Sequence, residues 1–488
     1  MKKIVLLIAF IALSVSCSDD ITGLNVDTKN PTTTKSEYLF TSAQKALVNQ
    51  TQSTSVNINV FRLFVQQWTE TQYPDESRFN ITTRSIPDTH WQVLYRDVLR
   101  DLKESQISIQ AETYTGTAAE VATKELVRKN KLAIIDIHMA YAYSILVDTF
   151  GNIPYTEAND IDKYPLPKYD DAKTIYKDLI SRLTADVTAL NTTAASFGTA
   201  DIVNGGSVAK WKKFANSLRL RLAVNIYDVE PSYAATEITA AVTAGVITSN
   251  SDNVKLAYLS AQPNTNPLYV DLVASGRNDF VPANTLVDKM NTLSDPRRSK
   301  YFDLNTGATT FSGGTYGAVN VYADYSKISS TLTAATFPGT IFDYAEIEFL
   351  LAEAAAKGVA VPGTAESHYN AGITASMESW GVASADISTY LARTDVAYTT
   401  AAGNFKQKIG EQAWLALYNR GFEAWTSYRR LDFPVLAVPA SAYNGITSIP
   451  VRYSYPAKEQ TLNNTNVSAA ITAIGGNNLT TKLFWDKF

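Results

Sequence analysis

The sequence is short of the residues that metal, redox and nucleic-acid chemistry need. It has one cysteine, Cys17, in 488 residues, so no intrachain disulfide can form and the fold must stand on packing alone. Its three histidines, His90, His138 and His368, lie far apart, with no Cys, His or carboxylate at metal-ligand spacing, and no metal site is expected from them. Asn159, Asp160 and Asp162 sit close together, but no glycine-turned loop follows them as a calcium loop requires. Basic runs stop at pairs such as Arg297-Arg298 and Arg429-Arg430, which argues against nucleic acid as a partner. There is no G-x-S-x-G elbow, phosphate loop or dinucleotide fingerprint, so neither a cofactor nor a catalytic nucleophile is indicated.

Long apolar runs are also missing, except at the start. Lys2 and Lys3 precede a nearly unbroken apolar stretch from Ile4 to Val15. That is shorter than the roughly 20 helical residues needed to cross a bilayer core, so residues 1–16 read as an export signal. The small residues Ser14-Val15-Ser16 before Cys17 point to cleavage there and acylation of the cysteine, the arrangement of bacterial lipoproteins. The alternative is an ordinary signal peptide with an incidental thiol. Ser18 to Lys35 is polar and aperiodic, so residues 17–35 read as a flexible tether. Losing Lys2 and Lys3 takes the basic count from 43 to 41 against 47 acids, a formal net charge of −6.

Aromatics are plentiful: 27 Tyr and 7 Trp serve either as core or as platforms for the flat apolar faces of a ligand. Helical periods dominate the body. One begins near Asp88 with Trp91, Leu94, Tyr95, Val98 and Leu102, and a long one from Ala119 to Phe150 is stopped by Gly151. Asp171 and Ser207 stand where helix caps are expected, the Ser207 helix closing before Pro231. Asn250 to Thr340 has few sustained periods apart from Ala283 to Leu293, and Gly313 to Gly317 is loop or short hairpin. Helical pattern returns from Tyr344, in Ala365 to Trp380 and in Phe405 to Arg429, while the stretch after Phe433 reads as irregular. Two-helix units turned by Gly or Pro suggest a tetratricopeptide-like scaffold, with long irregular insertions on one face.

Six segments in order carry a resemblance. They are Leu146 to Tyr155, Lys210 to Arg219, Tyr344 to Ala354, Gly421 to Trp425 with Arg429-Arg430, Ile449 to Arg452 with Tyr455-Pro456, and Lys482 to Asp486. Together, behind a lipoprotein-like signal, they resemble the SusD/RagB nutrient-binding lipoproteins of the outer membrane, in their second SusD-like branch. The resemblance implies a mainly α fold of about four tetratricopeptide-like helix pairs over residues 36–488, with a ligand face built from inserted loops. It implies a partner, a SusC-like TonB-dependent transporter barrel, over which such proteins sit as a lid. It also implies a surface-exposed lipoprotein that binds an oligosaccharide or polysaccharide without converting it. Rival readings are a peptide or other non-sugar nutrient in the same role, a hydrolase on a helical scaffold, and an assembly scaffold that binds no nutrient.

Sugars stack their C–H faces on Trp and Tyr while Asn, Gln, Asp or Arg meet their hydroxyls. Gln66 to Asn80 has that mixture, which nominates Trp68, Tyr73 and Arg78. The loops Gln262 to Phe280 and Tyr316 to Tyr325 have it too and add Tyr269, Arg277 and Tyr316. For each of these the competing role is packing of a loop onto the scaffold or the transporter. Trp211, Trp380, Trp414 and Trp425 fall at helical periods and are expected in the core. Glu346 and Glu353, seven apart, share a helix face, and pairing with Arg429 or Arg430 is expected rather than acid–base catalysis.

Overall fold

The computed structural model describes residues 34–487. The signal peptide, Cys17 and nearly all of the tether lie outside the described residues. The chain is mainly helical, and four helix pairs are its frame: Ala118–Phe150 with Ala172–Ala189, Val208–Ile226 with Pro231–Ala244, Tyr344–Ala356 with Ala365–Ser379, and Phe405–Ala416 with Gly421–Leu431. An N-terminal layer, Ser36–Gln52 against Arg100–Gln110, packs beside them.

Local chemistry sets the helix starts. Thr117 and Glu120 form a capping box at the head of Ala118–Phe150, and Asp171, Ser207 and Asp343 each accept from the backbone N–H three residues on, satisfying donors the first turn leaves open. The Ala118–Phe150 helix is long and apolar enough to cross a membrane, yet 89% of its most apolar window is buried within the protein. It is the central helix, enclosed on every side from Ile137 to Phe150, and Gly151 ends it at φ +88°, a conformation that suits glycine.

Four sequence expectations change. The helix read from Asp88 starts at Ile86 with Pro87 in its first turn and passes through a π-turn, Val93–Leu99, into Arg100–Gln110. Pro231 opens a helix rather than closing one, because its fixed φ and missing N–H suit the first turn. The single helix read from Phe405 to Arg429 is two, broken at Asn419 with φ +67°. There Gly421 lies so close to the Arg62 backbone that a Cβ would approach its N to 2.7 Å. The C-terminal stretch read as irregular holds two helices, Ala457–Leu462 and Asn464–Ile474, the first entered directly after Pro456.

The resemblance motifs are internal fastenings. Arg221 grips Glu346 at 2.6 and 2.9 Å, and Arg420 reaches Glu346 at 2.6 Å and Glu423 at 3.4 Å. Burial raises the Glu346 pKa, but the two guanidinium charges outweigh it and hold the carboxyl below its ordinary range. Arg430 pairs with Glu353 at 2.8 Å, and Lys357 meets the same carboxylate at 3.0 Å. Arg429 pairs with neither acid: it lies 3.5 Å from the Trp425 ring centre and donates to the carbonyls of Asp148 and Val451. Trp485 donates to the Asp148 carboxylate at 2.9 Å, tying the C-terminal segment to the central helix. Trp211, Trp414 and Trp425 are fully buried, and Trp380 packs against the core half-buried. His138 sits edge-on to Phe40 and Trp211, and burial pushes it down to about 4, so it packs as a neutral ring.

Candidate ligand-binding site

Among the described residues three two-stranded ladders organise the insertions, and one of them builds the candidate site. Trp68–Glu70 pairs antiparallel with Phe280–Pro282, Glu70 facing Phe280. The ladder is prolonged by Thr71 N–H donating to the Asp279 carbonyl at 2.9 Å and by Thr71 Oγ1 donating to the Asn278 carbonyl at 2.7 Å. Asn320 closes the far side: its N–H donates to the Thr71 carbonyl at 2.7 Å and its Nδ2 to the Glu70 carbonyl at 3.0 Å. Three distant chain segments therefore meet at Thr71.

Beyond that junction lies a cavity of about 160 Å³ whose walls include Asn57, Gln72, Tyr73, Arg84, Asp271 and Arg277. Tyr73 is 63% exposed, its ring uncommitted to the core. Arg277 is exposed and pairs with Asp279 at 2.6 Å. Asp271 accepts from Ser53 Oγ at 3.2 Å, and burial raises its pKa. Arg277 and Phe280 form a partition, and behind them a second cavity of about 240 Å³ is lined by Tyr322, Lys327 and Asp303. One exposed ring, amides and charges of both signs thus face a loop-built hollow, a setting for a polyhydroxylated ligand with one flat face.

The cavity also reaches Glu70, one of a pair of buried acids. Glu70 accepts from Ser77 N–H at 2.8 Å and Ser77 Oγ at 2.9 Å. Glu76 holds Arg84 at 2.6 Å through Oε1, while its Oε2 has no donor among the described residues. Burial, then the adjacent Glu76 carboxyl, pushes Glu70 up to about 9, so Glu70 keeps its proton at neutral pH. Glycoside hydrolysis needs carboxyls about 5–9.5 Å apart on opposite sides of the bond. These two touch each other, and Glu76 is fully enclosed.

The structure brings two of the six nominated residues, Tyr73 and Arg277, to one cavity and places the other four elsewhere. Trp68 is 0% exposed; its strand is covered on both faces, its Nε1 donates to the Tyr418 hydroxyl at 2.9 Å, and the Arg62 guanidinium lies 5.1 Å from its ring. It offers no face to a ligand. Tyr316 is also corrected to the core: its hydroxyl donates to the Leu63 carbonyl at 2.7 Å. Arg78 spends its Nε on the Gly317 carbonyl at 2.7 Å and pins a turn. Tyr269 is half-buried in the short helix Pro267–Tyr269 and lines neither cavity. Sequence reasoning missed Asn57, Arg84 and Asp271. Asn57 sits in a short Ser/Asn-rich loop, a weak signal; Asp271 becomes a neighbour of Tyr73 only through the strand pairing, and Arg84 is held there by Glu76.

The sequence matches the second SusD-like family, described as starch-binding associating with outer membrane, over residues 28–456. No protein of curated function matches it. Among solved structures, a chitin-binding protein is similar at 26% identity and TM-score 0.79, over 93% of this chain and 100% of its own. A SusD homologue from Bacteroides uniformis is 26% identical at TM-score 0.77, over 92% of this chain and 100% of its own. A chitin-binding SusD homologue from Flavobacterium johnsoniae shares the fold at 24% identity and TM-score 0.76, over 93% of this chain and 97% of its own.

Proposed function

The chain belongs to the SusD-like family, and from that premise we propose that it is a lipid-anchored, surface-exposed outer-membrane protein that captures an oligosaccharide or polysaccharide and passes it to a TonB-dependent transporter barrel. Cys17 is the anchor in this reading, residues 17–35 the tether, and residues 36–488 a single binding domain. The family's description as starch-binding and the chitin-binding relatives support a glycan as ligand. The observation that carries the reading is the loop-built cavity in which an exposed Tyr73 ring stands among Gln72, Asn57, Asp271 and Arg277. Tyr73 stacks on the sugar's C–H face, and Arg277 with the amides takes its hydroxyls. No chemical step follows, because the acids near the cavity are locked to each other, to Ser77 and to Arg84.

Three observations test this together. Solubilising the outer membrane in mild detergent is expected to recover a large TonB-dependent barrel with the protein. Cys17→Ser is expected to release the protein from the membrane fraction, since its acyl chains anchor it stably only when several act together. Incubation with the bound glycan is expected to leave it intact. Recovery as a free monomer, unchanged membrane partition of the variant, or appearance of shortened product each sinks the corresponding part.

A further inference from the structure

A second groove lies on the other side of the segment that forms the Tyr73 cavity. Glu70 to Tyr73 and Arg84 face that cavity, while Phe79 and Thr82 face the groove. The opposite wall comes from two C-terminal loops, 443–447 and 477–480. The groove's volume is about 380 Å³, within the 300–1,000 Å³ range of small-ligand sites. The groove is held open by main chain: Tyr443 N–H donates to the Arg78 carbonyl at 2.8 Å, and Val451 N–H donates to the Leu479 carbonyl at 2.8 Å.

Its chemistry differs from that of the Tyr73 cavity. Among the described residues no charged side chain lines it. Instead the Tyr443 phenol, the Asn444 and Asn478 amides and the hydroxyls of Thr447, Ser454 and Thr480 face it, and none of these side chains hydrogen-bonds to another described residue. Asn477 is oriented from behind. Its Oδ1 accepts from Tyr455 N–H at 2.8 Å and from the buried Arg452 at 3.3 Å, which leaves its Nδ2 hydrogens as donors. Arg452 also holds the Gly476 carbonyl at 3.2 Å and that of Phe150 at 3.0 Å, so the loop rests on the end of the central helix.

We propose that this groove is a second binding site, for a neutral saccharide, separate from the Tyr73 cavity. Adjacent hydroxyls on a pyranose need paired donors and acceptors without charge, and an aromatic ring for the C–H face, which the amides and Tyr443 supply. A peptide is the poorer fit: the groove has no charge to meet its termini, and no strand in its walls offers an edge to extend. The saccharide class rests on the glycan reading above, while the location stands on the groove itself. Two sites flanking one segment let a long chain be held at two points, where linkage raises avidity without new contacts.

The test is hydrogen exchange by mass spectrometry on the full mature protein in detergent, with maltohexaose, cellohexaose, xylohexaose and chitohexaose as probes at millimolar concentration. At least one is expected to slow exchange in the amides of 443–447 and 477–480. Tyr443→Ala and, separately, Asn478→Ala are expected to weaken that protection about fivefold or more, the loss typical of one stacking ring or bonded pair. Neither side chain hydrogen-bonds to another described residue, so thermal midpoints are expected to change little. Protection confined to 70–84 and 271–280 overturns the second site and leaves the first standing. Protection at 443–447 and 477–480 that Tyr443→Ala and Asn478→Ala both leave unchanged overturns the stated mode of binding. Absence of protection anywhere overturns both readings of the ligand.

Discussion

The helix pairs and the loop face use the same charged residues in opposite ways. In the scaffold, Arg221, Arg420 and Arg430 are buried and closed on Glu346, Glu423 and Glu353. On the loop face, Arg277 is exposed with one carboxylate beside it, Asp279. A buried charge must be matched inside the protein, because desolvation costs several kcal/mol for each ion. An exposed one keeps its water and can exchange it for ligand. The scaffold therefore holds its charges permanently, and the loop face keeps its charges available.

The sharpest break of that contrast is Arg420→Ala. It strips Glu346 of one guanidinium and leaves Glu423, whose pKa burial already raises, with Arg221 as its remaining cationic partner among the described residues. Removing one partner of a buried pair costs about 3–5 kcal/mol. Urea denaturation is expected to show a loss of that size. Arg277→Ala, on the same measurement, is expected to change stability by less than about 0.5 kcal/mol, as surface substitutions do.

Trp68→Ala comes next and shows where aromatic residues fall in the same division. With its ring enclosed and its Nε1 tied to Tyr418, truncation opens a core cavity at about 3–5 kcal/mol. The thermal midpoint is expected to drop while the folded fraction keeps its glycan affinity. A variant that weakens binding with an unchanged midpoint would return Trp68 to the ligand face.

The case of Trp68 marks how far the sequence could be read. The caps at Asp171 and Ser207 and the stop at Gly151 are local, and they lie where the pattern puts them. The residue mixture of Gln66 to Asn80 nominated a segment that lines the cavity proposed as the site, but not which of its side chains face out. That is decided by the pairing of Trp68–Glu70 with Phe280–Pro282, more than 200 residues away. A strand covered on both faces has no alternation to read. The acid pair was hidden for the same reason: Glu70 and Glu76 look like surface carboxylates until the ladder buries them.

That pair supplies a third prediction, read through pH. Glu70 is raised from 4.5 to about 9 by burial and then by Glu76, so the folded state holds a proton that the unfolded chain releases. The stability it contributes is full below about pH 4.5 and is lost as pH rises toward 9. Unfolding free energy is expected to fall across that window, with a slope below the one-proton limit of about 1.4 kcal/mol per pH unit. Glu70→Gln is expected to flatten the slope. Equal slopes in the two proteins would mean that Glu70 does not hold its proton in the folded state.

The smallest expected effect is Tyr73→Ala, and it tests the loop side of the contrast directly. Tyr73 is 63% exposed and makes no hydrogen bond to another described residue, so the fold gains little from its ring and truncation is expected to leave the thermal midpoint nearly unchanged. The ring's contribution arises only when a sugar face covers it, on the order of 1 kcal/mol beyond the area buried, which is about a fivefold loss of affinity. Tyr73→Phe separates stacking from hydrogen bonding: retained affinity assigns the contribution to the ring, and a loss matching that of alanine assigns it to the hydroxyl. Unchanged affinity in both variants would move the ligand behind the Arg277 and Phe280 partition, where Tyr322 lines the neighbouring cavity.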